Sequence, residues 1–400
     1  MGNISLKLWM IWRSLLKNTI LKFLVICLMT QSYGANSFAQ DYAGPLDLDK
    51  LQTMVDSGQL SDDQYNNYVD LIESGGETAL MQPPVERVFE NDADAAIAFD
   101  DRVKDIGAAT NIDELQKFSD KQVVGFGDWG FQFIYISKAD GSRKVLSSRN
   151  ANNPLRPAST MKLFTTNLAY DLGTYTNSVN LSSLLQHSRN GMADKALKSV
   201  TTSSQYEKFT VPSDSYLRAP SLLGYRMYDS TERKSQIIDA TIIKGCAIMK
   251  EAYKNLEDSS KFHPVNGSGM QVTEKDSALQ ENKVTARLET GLLEKILSNK
   301  VKYDKYKTYL PTPGGPGTLN ARFKSGRKFA KIYAKTGTLG NAKALAGFAE
   351  TSKGTIVFSV IGDRLKGMNV NAAMQGPIEN LVFAHIQYIK AQEAKAMTKN

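Results

Sequence analysis

The chain has 400 residues, 42% of them hydrophobic and 22% charged, an ordinary composition for a soluble globular protein of one to three domains. The formal net charge of +8 is unevenly spread: residues 1–40 hold four basic side chains and no acidic one, residues 41–120 hold 19 acidic against 5 basic, and residues 121–400 hold 40 basic against 22 acidic. A basic body attracts anionic partners, but no zinc finger, RNA-binding signature or sustained heptad accompanies it, which argues against nucleic acid.

The N-terminus has the pattern of an export signal. Lys7, Arg13, Lys17 and Lys22 form a positive region, and Leu21–Met29 is an apolar run interrupted only by Lys22. Ser37 and Ala39 provide small residues before a cut at Gln40. The run is short for a transmembrane span. Residues 1–39 are therefore expected to be a signal peptide, an uncleaved anchor being the alternative. The mature chain is expected in the periplasm or cell envelope with no permanent membrane span. Cys27 follows Ile26, where a lipoprotein site needs a small residue. Cleavage leaves Cys246 as the sole cysteine, so no intramolecular disulfide is expected.

Residues 40–120 read as an acidic, mostly helical segment, with Ser61 as an N-cap and breaks at Gly75-Gly76 and Pro83-Pro84. They carry no chemical motif, and read either as a solvated spacer or as a cover for the basic body. From residue 121 the texture changes. Phe131–Lys138 is a strand, Asp140-Gly141 a hairpin turn and Lys144–Ser148 the returning strand. Residues from about 165 to 300 read as a helical subdomain. Ala330–Lys335, Ala344–Thr351 and Thr355–Ile361 are three further strands, and Pro377–Ala394 is a closing helix. Strands from both ends of residues 121–400, with a helical block between, predict one α+β domain whose sheet is assembled from distant segments.

Two motifs carry chemistry. Ser159 and Lys162, in Pro157-Ala158-Ser159-Thr160-Met161-Lys162, lie one helical turn apart on one face. Lys335-Thr336-Gly337-Thr338 sits on a strand. A serine hydroxyl is a poor nucleophile until a base takes its proton. A lysine serves as that base when burial or a second cation destabilises its ammonium. Lys335 is such a cation and a candidate anchor for a substrate carboxylate, with Thr336 and Thr338 as neighbouring hydroxyl donors. The helix start at Ser159 offers N–H groups to a developing oxyanion. His187, His263 and His385 lie apart from other ligand types, so no metal or other cofactor is expected. No Gly-x-Ser-x-Gly elbow supports a Ser-His-Asp triad.

These segments resemble the D-alanyl-D-alanine carboxypeptidase/endopeptidase family of the penicillin-binding protein 4 type, peptidase family S13. Arg156–Leu163 is similar to its nucleophile segment. Asn266-Gly267-Ser268-Gly269-Met270 is similar to its Asp-Gly-Ser-Gly-Leu signature, with Asn266 for aspartate. Gly317-Thr318-Leu319, Arg322-Phe323 and Ala334–Leu339 are similar to its third block.

The resemblance implies a penicillin-binding-protein/serine β-lactamase-like fold, an antiparallel sheet flanked by helices plus a helical subdomain. It implies Ser159 acylated by D-Ala-containing peptidoglycan stem peptides or cross-links, with β-lactams as covalent inhibitors. Lys162 would be the base and Lys335 the carboxylate anchor. The family's second motif, Ser-x-Asn, is expected before the Gly-Ser-Gly signature. Around 227–237 no such motif occurs. Ser230 is the preferred stand-in, near a helix start suggested by the Asp229/Glu232 capping-box spacing, with Ser235 inside that helix. On this reading the second motif is degenerate. That leaves a non-catalytic peptidoglycan-binding homologue as one alternative. A β-lactamase-like hydrolase using Glu232 is the other. The short span between Ser159 and Ser230 predicts a compact member with no β-rich accessory domain at 165–225.

Overall fold

The computed structural model describes residues 109–123, 127–175, 179–203, 226–229, 234–271, 281–323, 331–365 and 370–397. The chain divides into two units, Met1–Arg87 and Val88–Asn400, and every described residue belongs to the second. The expected signal peptide and residues 40–108 of the acidic segment lie outside the described residues. No described helix is long and apolar enough to cross a membrane.

The core of the body is a five-stranded antiparallel sheet in the order β2-β1-β7-β6-β5. Its strands are β1 (Asp128–Ser137), β2 (Arg143–Arg149), β5 (Lys331–Leu339), β6 (Ala342–Glu350) and β7 (Gly354–Asp363). Strands from opposite ends of the domain meet where β1 pairs with β7 in ten-residue register, Asp128 against Asp363 through Ser137 against Gly354. Central β7 is buried along its whole length, which is why Thr355–Ile361 reads as a nearly continuous apolar run rather than an alternating one. Between β2 and β5 the chain forms α2 (Lys162–Asp171), α3 (Leu181–Gln186), α4 (Asn190–Val200), α5 (Ala240–Ala252), α6 (Ala286–Leu297) and α7 (Lys300–Tyr309).

One sheet face packs against this helical block, burying Phe164, Leu168, Leu288, Leu292, Phe348 and Val357 in a single cluster. The opposite face buries Phe131, Phe133, Phe358 and Val360 under α8 (Val370–Met397), through Leu381, Val382 and Ile386. The α+β arrangement expected from the sequence, an antiparallel sheet flanked by helices plus a helical subdomain, is the arrangement found.

Two details differ from the sequence reading. Helix α1 (Ile112–Val123) starts upstream of the boundary expected at 121, yet docks on the sheet body. Gln116 Oε1 accepts from Ser148 N–H of β2 at 2.9 Å, Asp120 pairs with Arg149 at 3.0 Å, and Asn380 of α8 donates to Gln122 at 3.1 Å. Second, no helix begins near 229. Arg226–Asp229 (β3) and Lys234–Ile237 (β4) form an antiparallel hairpin with Tyr228 opposite Ser235. Ser235 therefore lies on a strand, not inside a helix. The described residues from 165 to 203 are helices and their connections.

Candidate active site

Pro157 starts a short 3-10 turn, Ala158–Met161, that runs directly into α2. Thr160 N–H and Thr160 Oγ1 both reach Pro157 O, at 3.2 and 2.8 Å. Ala158 sits at φ +49°, a left-handed conformation that costs a non-glycine residue about 1–3 kcal/mol unless its surroundings impose it. Two glycines press on this turn. A Cβ on Gly269 (φ +82°) would lie 1.8 Å from Ala158 O, and one on Gly337 would lie 2.6 Å from Pro157 O. The Gly-Ser-Gly turn and the Lys-Thr-Gly strand thus clamp the turn carrying Ser159 through direct backbone approach. Arg156 ties down its leading end, donating to Asp363 Oδ1 at 2.6 Å and Asn341 Oδ1 at 2.7 Å. Burial raises the Asp363 pKa, but the Arg156 hydrogen bonds and charge outweigh that and leave it below the usual carboxylate range.

Ser159 is half-buried, whereas Lys162 is fully buried. Lys162 Nζ lies 2.7 Å from Ser159 Oγ, 2.7 Å from Asn190 Oδ1 and 2.8 Å from Ser268 O. Ser268 is presented by an internally bonded turn. Asn266 Oδ1 accepts from Gly269 N–H at 2.7 Å and from Asn282 Nδ2 at 3.1 Å, while Asn266 Nδ2 donates to Met270 O at 3.1 Å. That last bond needs an amide; a carboxylate has no proton to give. The structure thereby gives a use for asparagine at this position. Asp194, four residues after Asn190 on α4 and so on the same face, accepts from Gly267 N–H at 2.8 Å. One face of α4 therefore serves both Lys162 and the turn that meets it.

Lys335 is also fully buried. Its Nζ donates to Ser188 Oγ and Thr336 O, both at 2.8 Å. Thr336 Oγ1 donates to Thr318 Oγ1 at 2.8 Å, and Thr338 is exposed. Strand β5 is an edge of the sheet. Leu339 pairs with Ala342 across the two-residue turn Gly340-Asn341, and the closing pair of such a hairpin bonds to itself. Counting in twos from it, Lys335 and Gly337 bond to β6, while Ala334, Thr336 and Thr338 turn their N–H and C=O groups to the open edge. Ala334 N–H follows this phase, donating to Pro311 O at 3.2 Å.

Ser159, Lys162, Lys335 and Thr336 are thus brought into one constellation, with Thr338 at its edge. Ser230 lies outside the described residues. Ser188 and Asn190, which the sequence reading missed, complete the constellation. Ser188-Arg189-Asn190 is a Ser-x-Asn that leads into α4, with Asn190 as the first helical residue, and its outer residues hydrogen-bond the two lysines. The expectation of a degenerate second motif rests on 227–237, and this triplet lies outside that stretch. Ser188 holds φ +56°, a strained conformation of the kind found at functional sites. The signal was in the sequence, far closer to Ser159 than the region around 230. Beside it, Thr318 N–H donates to Gln186 O at 3.1 Å, fastening the 317–319 segment to the end of α3.

Among solved structures, similar chains include a D-alanyl-D-alanine carboxypeptidase from Mycobacterium tuberculosis H37Rv (18% identity, TM-score 0.36, 65% of this chain and 94% of that one). A β-lactamase from Sphaerobacter thermophilus is also similar (13%, TM-score 0.40, 69% and 96%). So is penicillin binding protein 4 from Haemophilus influenzae, complexed with a β-lactam (18%, TM-score 0.34, 54% and 40%). No curated protein matches the chain significantly by sequence. The resemblance drawn from the motifs is borne out over the segment holding the Gly-Ser-Gly turn and the Lys-Thr-Gly strand: residues 260–381 match the D-Ala-D-Ala carboxypeptidase 3 (S13) family.

Proposed function

We propose that this chain is an exported serine DD-peptidase that cleaves D-Ala-containing peptidoglycan stem peptides or cross-links through an acyl-enzyme on Ser159, and that β-lactams acylate the same serine. The observation that carries the reading is the pairing of Ser159 with fully buried Lys162 at 2.7 Å, opposite the Ser188–Lys335 pair. In the neutral amine, two N–H groups serve Asn190 Oδ1 and Ser268 O, and the lone pair is left for the Ser159 proton. Ser159 Oγ then attacks the D-Ala carbonyl as Lys162 takes its proton. The outward N–H of Thr338 and the N–H of Ser159 suit the oxyanion.

Collapse breaks the C–N bond, and the proton passes to the leaving amine, with Ser188 Oγ as a relay between the lysines. Lys335 holds the terminal carboxylate, and Thr336 and Thr338 line the strand edge beside it. Water, deprotonated by Lys162, then releases the acyl group. Binding is served by the outward main-chain groups of Thr336 and Thr338 on edge strand β5, which suit an extended peptide joined by main-chain hydrogen bonds. Fluorescent penicillin is expected to label wild type covalently and to leave Ser159→Ala unlabelled. Release of D-Ala from a pentapeptide and cleavage of a cross-linked dimer distinguish carboxypeptidase from endopeptidase. Muropeptide binding with no product and no dependence on Ser159 would replace the enzyme reading by the binding-protein reading.

A further inference from the structure

Glu289 lies on α6 behind the nucleophile turn, with no exposed surface. Among the described residues its hydrogen-bond partners are two hydroxyls. Thr160 Oγ1 is 2.5 Å from Oε1, and Ser359 Oγ of β7 is 2.7 Å from Oε2. Thr160 immediately follows Ser159, so this carboxyl joins the turn carrying the nucleophile to the centre of the sheet.

The protons can be placed by counting. Thr160 Oγ1 has one hydrogen and two acceptors in reach, Pro157 O at 2.8 Å and Glu289 Oε1 at 2.5 Å. If Glu289 were ionised, that hydrogen would serve only one of them. If Glu289 is the acid, Oε1–H donates to Thr160 Oγ1, Thr160 O–H donates to Pro157 O, and Ser359 O–H donates to Oε2. Every contact is then satisfied. The surroundings also favour the neutral form. Gln132 of β1 accepts from neighbouring Thr290, and Ala346 and Phe348 of β6 are apolar. Charged groups on the packed elements are engaged elsewhere. Asp363 is held by Arg156 and Lys283, Glu350 by Tyr303 and Lys307, and Lys162 by Ser159, Asn190 and Ser268. On α6 itself, Arg287 pairs with Glu257 and Glu294 with Arg143. Burial pushes the Glu289 carboxyl up to about 7.

We propose that Glu289 is a positioning residue for acylation: as the neutral acid it donates to Thr160 and holds the turn that aims Ser159 at Lys162. The inference rests on the DD-peptidase reading for its consequence, though not for its geometry. Raising the pH past 7 removes this donor, releases the Thr160–Pro157 arrangement and slows acylation through misalignment of Ser159.

The test uses the full chain and a fluorescent penicillin, with acylation rates measured from pH 5.5 to 9 for wild type, Glu289→Gln and Glu289→Ala. Circular dichroism confirms that each variant is folded. The glutamine amide donates to Thr160 and accepts from Ser359 at every pH. Glu289→Gln is expected to match wild type below pH 6.5 and to exceed it about tenfold above pH 8, and Glu289→Ala to be at least about tenfold slower throughout. A Glu289→Gln to wild-type ratio that stays flat with pH overturns the proposal, as does a folded Glu289→Ala that acylates normally. If wild type takes no penicillin, the enzyme reading fails separately. Glu289 is then judged by hydrogen exchange of the 158–161 amides. Protection that rises in Glu289→Gln relative to wild type above pH 7 supports its hold on the turn, and an unchanged ratio refutes it.

Discussion

Glu289 makes stability, as well as rate, depend on pH. Its carboxyl has a pKa near 4.5 when solvated and is raised by burial to about 7 in the folded chain. Between those values the folded state keeps a proton that the unfolded state has released, so stability falls as pH rises through that window and is level above it. Moving one carboxyl across this range corresponds to roughly 3 kcal/mol. For a body of this size that is on the order of 5 °C in melting temperature. Glu289→Gln carries no proton to lose, so subtracting its melting curve from that of wild type isolates the effect. The difference is expected to be constant below pH 4.5, to grow by about 3 kcal/mol at wild type's expense towards pH 7, and to level off beyond. Differential scanning calorimetry at about 0.5-unit pH steps across and beyond this window reads this directly. Parallel wild-type and Glu289→Gln curves from pH 4 to 9 would refute the assignment of a neutral buried acid.

Four other outcomes follow from the same geometry. His385, fully buried with Ser147 at 2.6 Å and stacked on Phe133, is pushed down to about 3 by burial against the opposing Leu381 carbonyl. Its folded form stays neutral while the unfolded form gains a proton below 6.5. Stability present above that pH is lost as pH falls, and His385→Asn should flatten this acid limb by several kcal/mol in acid denaturation. Gly269→Ala places a Cβ 1.8 Å from Ala158 O, and is expected to cost several kcal/mol in urea melts and to abolish penicillin labelling. Asn266→Asp replaces the donor to Met270 O by an oxygen and should cost about 2–4 kcal/mol in the same melts. Ser188→Ala and Lys335→Ala should each slow acylation about a hundredfold in folded protein.

Much of the site was legible in the sequence because its chemistry is local. Ser159 and Lys162 are one turn apart, Lys335 to Thr338 lie along one strand, and alternating apolar residues mark β1, β5 and β6. What was missed depends on long-range placement. Ser188-Arg189-Asn190 is a short polar triplet at the start of α4, and only the fold brings it against Lys162 and Lys335. The Asp229/Glu232 spacing reads as a helix cap, and only the pairing of Arg226–Asp229 with Lys234–Ile237 shows that the flanking residues are strands. Glu289 reads in sequence as one more polar residue of an amphipathic helix beside Arg287. Its burial against Ser359 and Thr160 is created by a sheet whose strands come from distant parts of the chain.

The central claim is that Ser159, activated by Lys162, forms a covalent acyl-enzyme. Intact-mass spectrometry of the full chain after incubation with benzylpenicillin tests it most directly. The account predicts one added penicilloyl group, mapped to the peptide containing Ser159, absent in Ser159→Ala and strongly slowed in Lys162→Ala. An unmodified wild-type mass in folded protein, or an adduct that persists in Ser159→Ala, would contradict it.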